Sequence, residues 1–249
     1  MGQAPNQTGY VIRIEEPALI QLCLAGLEAY SVAHLREGPR IQLETYGTLW
    51  GHKVDLPDGR PLYSVQMATT DTSARMARSS VETAEGSLEL KRDLMTSFWP
   101  QLEFLGDFHT HPYRHPEEVG PEQYSFSKGD REDIEDRSDF WLRHGYRVGL
   151  VLTIAQLKRA SSRDHRWLEE NTIEFTLGNY RMWLKAYVVS DCDGRLSVSA
   201  DDDPDVLLDC PALVGLQGEY TPFGRGRSGR GAVRHRTGQI DMNGRGGRA

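Results

Sequence analysis

Two histidines one residue apart, His109 and His111, end an apolar run containing Phe104, Leu105 and Phe108 and are followed by Pro112. Side chains alternate along a strand with period 2, so both imidazoles project from one face of one strand. Downstream, Ser127-Lys128-Gly129-Asp130 reads as a helix start with Ser127 as N-cap. An acid at that helix start can bring a third ligand to the imidazole pair and leave a position for water. Three nitrogen and oxygen ligands with one open position is the composition of a catalytic zinc site, whereas a structural site is closed by four. The pattern points to metal-assisted hydrolysis.

The rest of the chain must bury a core around that strand. At 249 residues and 38% hydrophobic content, it suits one large domain, or one domain with a tail. Charge divides it in the same way. Gly218 to Ala249 carries seven arginines and two acids, a net of +5, which leaves −12 on the rest. We therefore expect a domain over residues 1–217 and a Gly/Arg-rich mobile tail over residues 218–249. An acidic body does not suit a nucleic-acid binder. No apolar run approaches the roughly 20 residues that span a membrane, and Met1 to Tyr10 has no charged-then-apolar leader pattern. Cys23, Cys192 and Cys210 form neither a CxxC pair nor an even framework, which fits a reducing cytoplasm.

Periodicity predicts a helix over Pro17 to Glu37, carried by Leu19, Leu22, Cys23, Leu27 and Tyr30 and stopped by Gly38-Pro39. Gly26 interrupts that pattern. Leu62 to Thr69 predicts a strand, and Thr72 to Phe98 a helical stretch with a break at Gly86. Tyr113 to Phe126 predicts a surface loop, rich in Pro, Gly and Glu, and Ser127 to His144 a helix. Arg147 to Ile154, Thr172 to Leu177 and Arg181 to Val189 predict strands, from their Val, Ile, Phe, Trp and Tyr content. Helices and strands do not alternate strictly, so the expected class is α+β with a mixed, mainly antiparallel sheet flanked by helices.

Glu44-Thr45-Tyr46-Gly47-Thr48-Leu49-Trp50-Gly51 lies upstream of the histidine pair. Taken with His109-Thr110-His111-Pro112 and Ser127-x-x-Asp130, it resembles the signature of the JAMM (MPN-type, JAB-domain) metalloproteases. That signature is a Glu in an ETxGxLxG-like segment, then His-[Ser/Thr]-His-Pro, then Ser-x-x-Asp on a following helix. The resemblance covers roughly Gln42 to Ile154, and the joint pattern is far more specific than any one part. It implies an MPN/JAB-like, cytidine-deaminase-like fold, one zinc ion per chain on His109, His111 and Asp130, Glu44 as general base, and Ser127 as donor to the oxyanion. The family's third ligand usually follows the second histidine by about eleven positions, which would select Glu122; Asp130 instead keeps the Ser-x-x-Asp pairing and places the extra residues in a loop that tolerates insertion.

The resemblance also implies a substrate: the bond after the C-terminal Gly of ubiquitin or a ubiquitin-like protein, cleaved in deconjugation or precursor processing. The compact form is similar to prokaryotic JAB proteins, some of which accompany ubiquitin-activating and conjugating-like enzymes, including in antiphage systems. Two other readings compete: a catalytically silent MPN-like scaffold, and an RNA contact through the Arg/Gly tail. The site residues also have plain structural roles open to them. Ser127 and Asp130 can serve only as a helix cap, Glu44 only as a solvent-facing acid, His115 as an exposed loop residue, and Asp201-Asp202-Asp203 as a solvated loop.

Overall fold

A computed structural model describes residues 9–32, 42–84, 86–161 and 164–215. The expected tail at 218–249, the segment before Gly9 and the helix stop at Gly38-Pro39 lie outside the described residues. The chain opens with β1 (Tyr10–Ile14) and α1 (Glu16–Ser31), then the long antiparallel pair β2 (Tyr46–Asp55) and β3 (Pro61–Thr70). A small hairpin follows, β4 (Arg75–Met76) with β5 (Val81–Glu82), and then α2 (Ser87–Phe98). Strand β6 (Glu103–Tyr113) leads to α3 (Pro121–Tyr124), α4 (Lys128–Asp136) and α5 (Ser138–His144). Strands β7 (Val148–Gln156), β8 (Arg166–Glu169), β9 (Thr172–Leu177), β10 (Tyr180–Cys192), β11 (Arg195–Val198) and β12 (Val206–Asp209) complete it.

The main sheet runs β12-β1-β3-β2-β6-β7-β10-β9-β8, with β11 on β10. Pairs β1–β12, β1–β3 and β6–β7 are parallel and its remaining pairs antiparallel, so the class is α+β with a large mixed sheet. The sheet curls until its outer strands approach. The Leu208 amide donates to the Glu170 carbonyl at 2.9 Å, and Trp167 Nε1 donates to the Leu208 carbonyl at 3.3 Å. These bonds satisfy edge groups that would otherwise remain open for pairing.

Helix α1 covers one face of the sheet. Leu19, Leu22, Cys23 and Tyr30 join Phe108, Leu150, Leu152 and Ile154 in the main core. The interior Gly26 has a packing reason: a Cβ there would come within 2.8 Å of Ile154 Cδ1. Burying that apolar face offsets the roughly 1 kcal/mol that glycine costs a helix. The other face carries a second core, in which Trp50, Phe104 and Val151 meet Leu88, Met95, Ile134 and Trp141 of α2, α4 and α5. Strand β6 lies between the two cores. A register shift opposite Leu49 and Trp50 lets Leu105 and Phe108, of opposite parity, enter the same core.

Several sequence expectations are corrected. Among the described residues of the stretch from Thr72, only Ser87–Phe98 is helical. The aliphatic residues behind that expectation, Leu88, Leu90 and Leu94, all lie there. Upstream, the Asp71 carboxylate accepts both the Ser73 amide and the Ser73 hydroxyl, which turns the chain into the β4–β5 hairpin. The stretch from Tyr113 to Phe126 is not an open loop. It holds α3 and a 3-10 turn at Pro116–Glu118, and Tyr124, Ser125 and Phe126 are buried. Ser127 to His144 is two helices broken at Arg137. There the Ser138 hydroxyl donates to the Glu135 carbonyl and accepts the Leu196 amide. Among the described residues no helix is long and apolar enough to cross a membrane.

Candidate metal centre

Asp107, His109 and His111 alternate along β6 and line one cleft of about 1110 Å³. The intervening Thr110 is buried on the opposite face and locks the neighbouring segment. Its hydroxyl accepts the Thr45 amide at 2.9 Å, and its own amide donates to the Thr45 carbonyl at 3.0 Å. Leu43 and Thr45 are buried, and Glu44 between them lines the cleft. The Glu44 amide donates to the Ala77 carbonyl, so the hairpin stands beside it. At Gly47, a Cβ would meet the Phe108 ring at 2.4 Å and the Thr69 carbonyl oxygen at 2.3 Å. Only glycine lets β2 lie this close behind the histidine strand.

His109, His111 and Asp130 form a group able to hold a metal ion. Nε2 of His109 lies 3.1 Å from Nε2 of His111, and Asp130 Oδ2 lies 3.4 Å from the first and 3.9 Å from the second. Bonds of about 2.0–2.1 Å in tetrahedral geometry place ligand atoms about 3.4 Å apart, so the triangle has the right size for a zinc-like ion. Each member of the triangle is also oriented from behind. His111 Nδ1 lies 3.0 Å from the Gln123 carbonyl. That oxygen only accepts, so Nδ1 carries the proton and Nε2 presents its lone pair. Asp130 is fixed by a reciprocal cap: the Ser127 amide donates to Asp130 Oδ2 at 2.6 Å, and the Asp130 amide donates to Ser127 Oγ at 3.2 Å. The cap and the candidate ligand role are thus compatible. Glu122 is exposed and lines the cleft, but it is not in the group.

Residues that the sequence did not single out hold this arrangement. Phe126 stacks on His109, centroids 5.4 Å apart, and on Tyr187 at 4.1 Å. The Tyr187 hydroxyl accepts the Phe126 amide and donates to Asp201, whose carboxylate also takes Arg131. Asp201 is therefore exposed, as expected, but tied to the site. Behind His109, the Tyr146 hydroxyl donates to buried Asp107 at 2.6 Å. The position of Phe126 directly before Ser127 was a usable signal; a main-chain carbonyl such as that of Gln123 leaves none. His115 is exposed, Cys192 is exposed, and Cys23 and Cys210 are buried free thiols.

The electrostatics follow from this packing. Burial pushes Glu44 up to about 7 and Asp107 up to about 6. Burial and the neighbouring His109 bring His111 down to about 4. Burial opposes charge on His109 as well, but its hydrogen bond to Asp130 outweighs that and holds its pKa above the ordinary value. Burial would raise Asp130, yet its bonds to His109 and Ser127 hold it well below the usual carboxylate range. A neutral His111, an ionised Asp130 and a carboxyl poised near neutrality line one cleft.

No protein-family model matches the chain, and no curated protein matches it.

Proposed function

We propose that this chain is a zinc-dependent isopeptidase or peptidase of the JAMM type, with an MPN/JAB-like arrangement around β6. The observation that carries the reading is the 3.1, 3.4 and 3.9 Å triangle of His109, His111 and Asp130, with Glu44 and Ser127 on the same cleft. The local packing adds support: the Thr45–Thr110 pair holds the segment of Glu44 against β6, and the Ser127 cap holds Asp130 at the start of α4.

When bound, zinc supplies a Lewis acid that polarises a carbonyl and acidifies water. This chain's own residues do the remainder. The Glu44 carboxylate, its pKa raised to about 7 by burial, accepts a proton from the attacking water, and the carboxyl so formed returns it to the leaving amine. The Ser127 hydroxyl lies beside Asp130, and its proton can turn toward an oxyanion. The Gln123 carbonyl keeps His111 in one tautomer, and Phe126 holds the plane of His109.

The substrate in this reading is the bond after the terminal Gly of a ubiquitin-like protein or its conjugate. An extended tail lying between the β4–β5 hairpin and α4 would reach the centre. Ubiquitin-activating and conjugating-like enzymes, as in a bacterial antiphage system, are the corresponding partners, and the cytoplasm the corresponding compartment. The test is incubation of the zinc-loaded chain with a ubiquitin-like protein joined through its terminal Gly to a lysine side chain. Mass spectrometry should find a product ending in that Gly, abolished by a chelator. An intact conjugate after prolonged incubation with zinc-loaded protein rejects the reading.

A further inference from the structure

The metal cleft does not end at the metal ligands. Asp133, Ile134, Arg137 and Trp141 follow Asp130 along α4 and α5 and form one wall; Ser79 and Thr83 belong to the facing wall. Beyond them lies a second cavity of about 500 Å³, reaching the start of α2 at Ser87. Tyr46, Thr83, Arg137 and Trp141 line both spaces.

Trp141 stands at the junction of the two spaces with an unmet requirement. It is 4% exposed, yet among the described residues its Nε1 has no hydrogen-bond acceptor. Buried donors are nearly always paired, and leaving one unpaired costs about 1–3 kcal/mol. Its ring is covered by the Arg137 guanidinium at 5.3 Å, and that guanidinium is held to Asp133 only by contacts of 3.5 Å. The same guanidinium lies over the Phe140 ring at 4.8 Å, so Arg137 covers two rings and must shift before a ligand reaches the indole.

The spacing sets what can reach it. Trp141 is eleven positions after Asp130. At about 1.5 Å per helical residue an unbroken helix would span roughly 16 Å, about five residues of extended chain at about 3.3 Å each, and the break at Arg137 makes this the upper bound. We propose that the two spaces form one trough for an extended peptide, and that Trp141 Nε1 donates to a main-chain carbonyl of that peptide up to about five residues from the metal centre. The inference rests on the peptidase reading and adds to it a binding residue at the far end of the trough, on the acyl side of the scissile bond. It makes affinity depend on substrate length: a peptide of three residues stops short of Trp141, and one of six passes it.

The test uses the full zinc-loaded chain with Glu44→Gln, so that no turnover occurs. Two acetylated peptides serve as probes, one with the sequence of Met242 to Gly247 and one with that of Arg245 to Gly247. The indole N–H resonance of Trp141, assigned by its loss in Trp141→Phe, should move downfield with the six-residue peptide and stay in place with the three-residue one. Trp141→Phe keeps the ring in the core and should weaken the longer peptide about fivefold, matching one hydrogen bond of about 1 kcal/mol, while leaving the shorter one unchanged. Equal affinity of both peptides in both forms, an unmoved indole resonance, or no binding of the longer peptide overturns the proposal. Length-dependent binding without hydrolysis of any conjugate would overturn the peptidase reading alone. Hydrolysis with no effect of Trp141→Phe on KM would overturn the trough alone.

Discussion

Thr110 and Thr45 exchange two hydrogen bonds, amide to hydroxyl at 2.9 Å and amide to carbonyl at 3.0 Å, on the face of β6 opposite the histidines. This pair sets the position of Glu44 relative to His109 and His111. Thr110→Val keeps the shape but leaves the Thr45 amide without its partner in a buried site. Stability should fall by about 1–3 kcal/mol, measured by urea unfolding. Turnover should fall as well, because Glu44 loses its anchor. Wild-type stability in Thr110→Val would show that the hydroxyl does not carry the contact.

Metal content should follow the triangle. His109→Ala and Asp130→Asn should each lose most of the bound metal, measured by elemental analysis after gel filtration. Glu122→Gln should keep it, since Glu122 lies outside the ligand group. The reverse pattern, with metal lost in Glu122→Gln and kept in Asp130→Asn, would move the third ligand.

Glu44→Gln should bind metal as the wild type does and lose hydrolysis by at least about 10²–10⁴-fold, the usual contribution of a positioned acid–base group. Near-wild-type turnover would place the base elsewhere, with Glu118, on the same cleft, the next residue to replace.

The same residue gives the metal-free protein a pH signature. Burial raises the Glu44 carboxyl from 4.5 to about 7, so the folded chain keeps a proton that the unfolded chain has released. Stability from this group is therefore greatest below about 4.5, falls as pH rises through the window to about 7, and is level above it. In chelator-treated protein, the difference between wild type and Glu44→Gln should trace that fall. A flat difference across the window would mean that Glu44 is ordinarily solvated.

Phe126 lies between His109 and Tyr187. Phe126→Ala should cost about 3–5 kcal/mol as a large-to-small change in a packed site. It should also weaken metal retention, because the His109 ring loses the surface that fixes its plane. Unchanged metal affinity would reduce Phe126 to a purely structural role.

The candidate centre was legible because the side chains that could hold an ion lie in short patterns. HxHP at the end of an apolar strand and Ser-x-x-Asp at a helix start each have a local physical reason, and the structure brings them together as the pattern anticipates. Strands β7, β9 and β10 were legible from their high content of β-branched and aromatic residues. The support behind the centre was not, since Gln123 acts through its backbone and Tyr187 through contacts with Phe126 and Asp201, far from it in sequence. Short strands such as β8, β11 and β12 have too few residues to show a period. The hairpin at Arg75–Glu82 was hidden because nearby aliphatic residues suggested a longer helix than the Asp71–Ser73 turn allows.

The pairing of β1 with both β3 and β12 has a consequence for synthesis on the ribosome. Tyr10 is paired with Val206, so β1 waits for β12, the last of the described strands. Until residues 206–209 emerge, β1 can join β3 but keeps an open edge, and the bond from Leu208 to Glu170 cannot form. Long-range parallel pairing of this kind is slow to form and leaves a strand edge exposed in the meantime. A nascent chain stalled before Val206 would already hold every residue of the candidate metal centre, yet its sheet would still be open to pairing with a neighbouring chain.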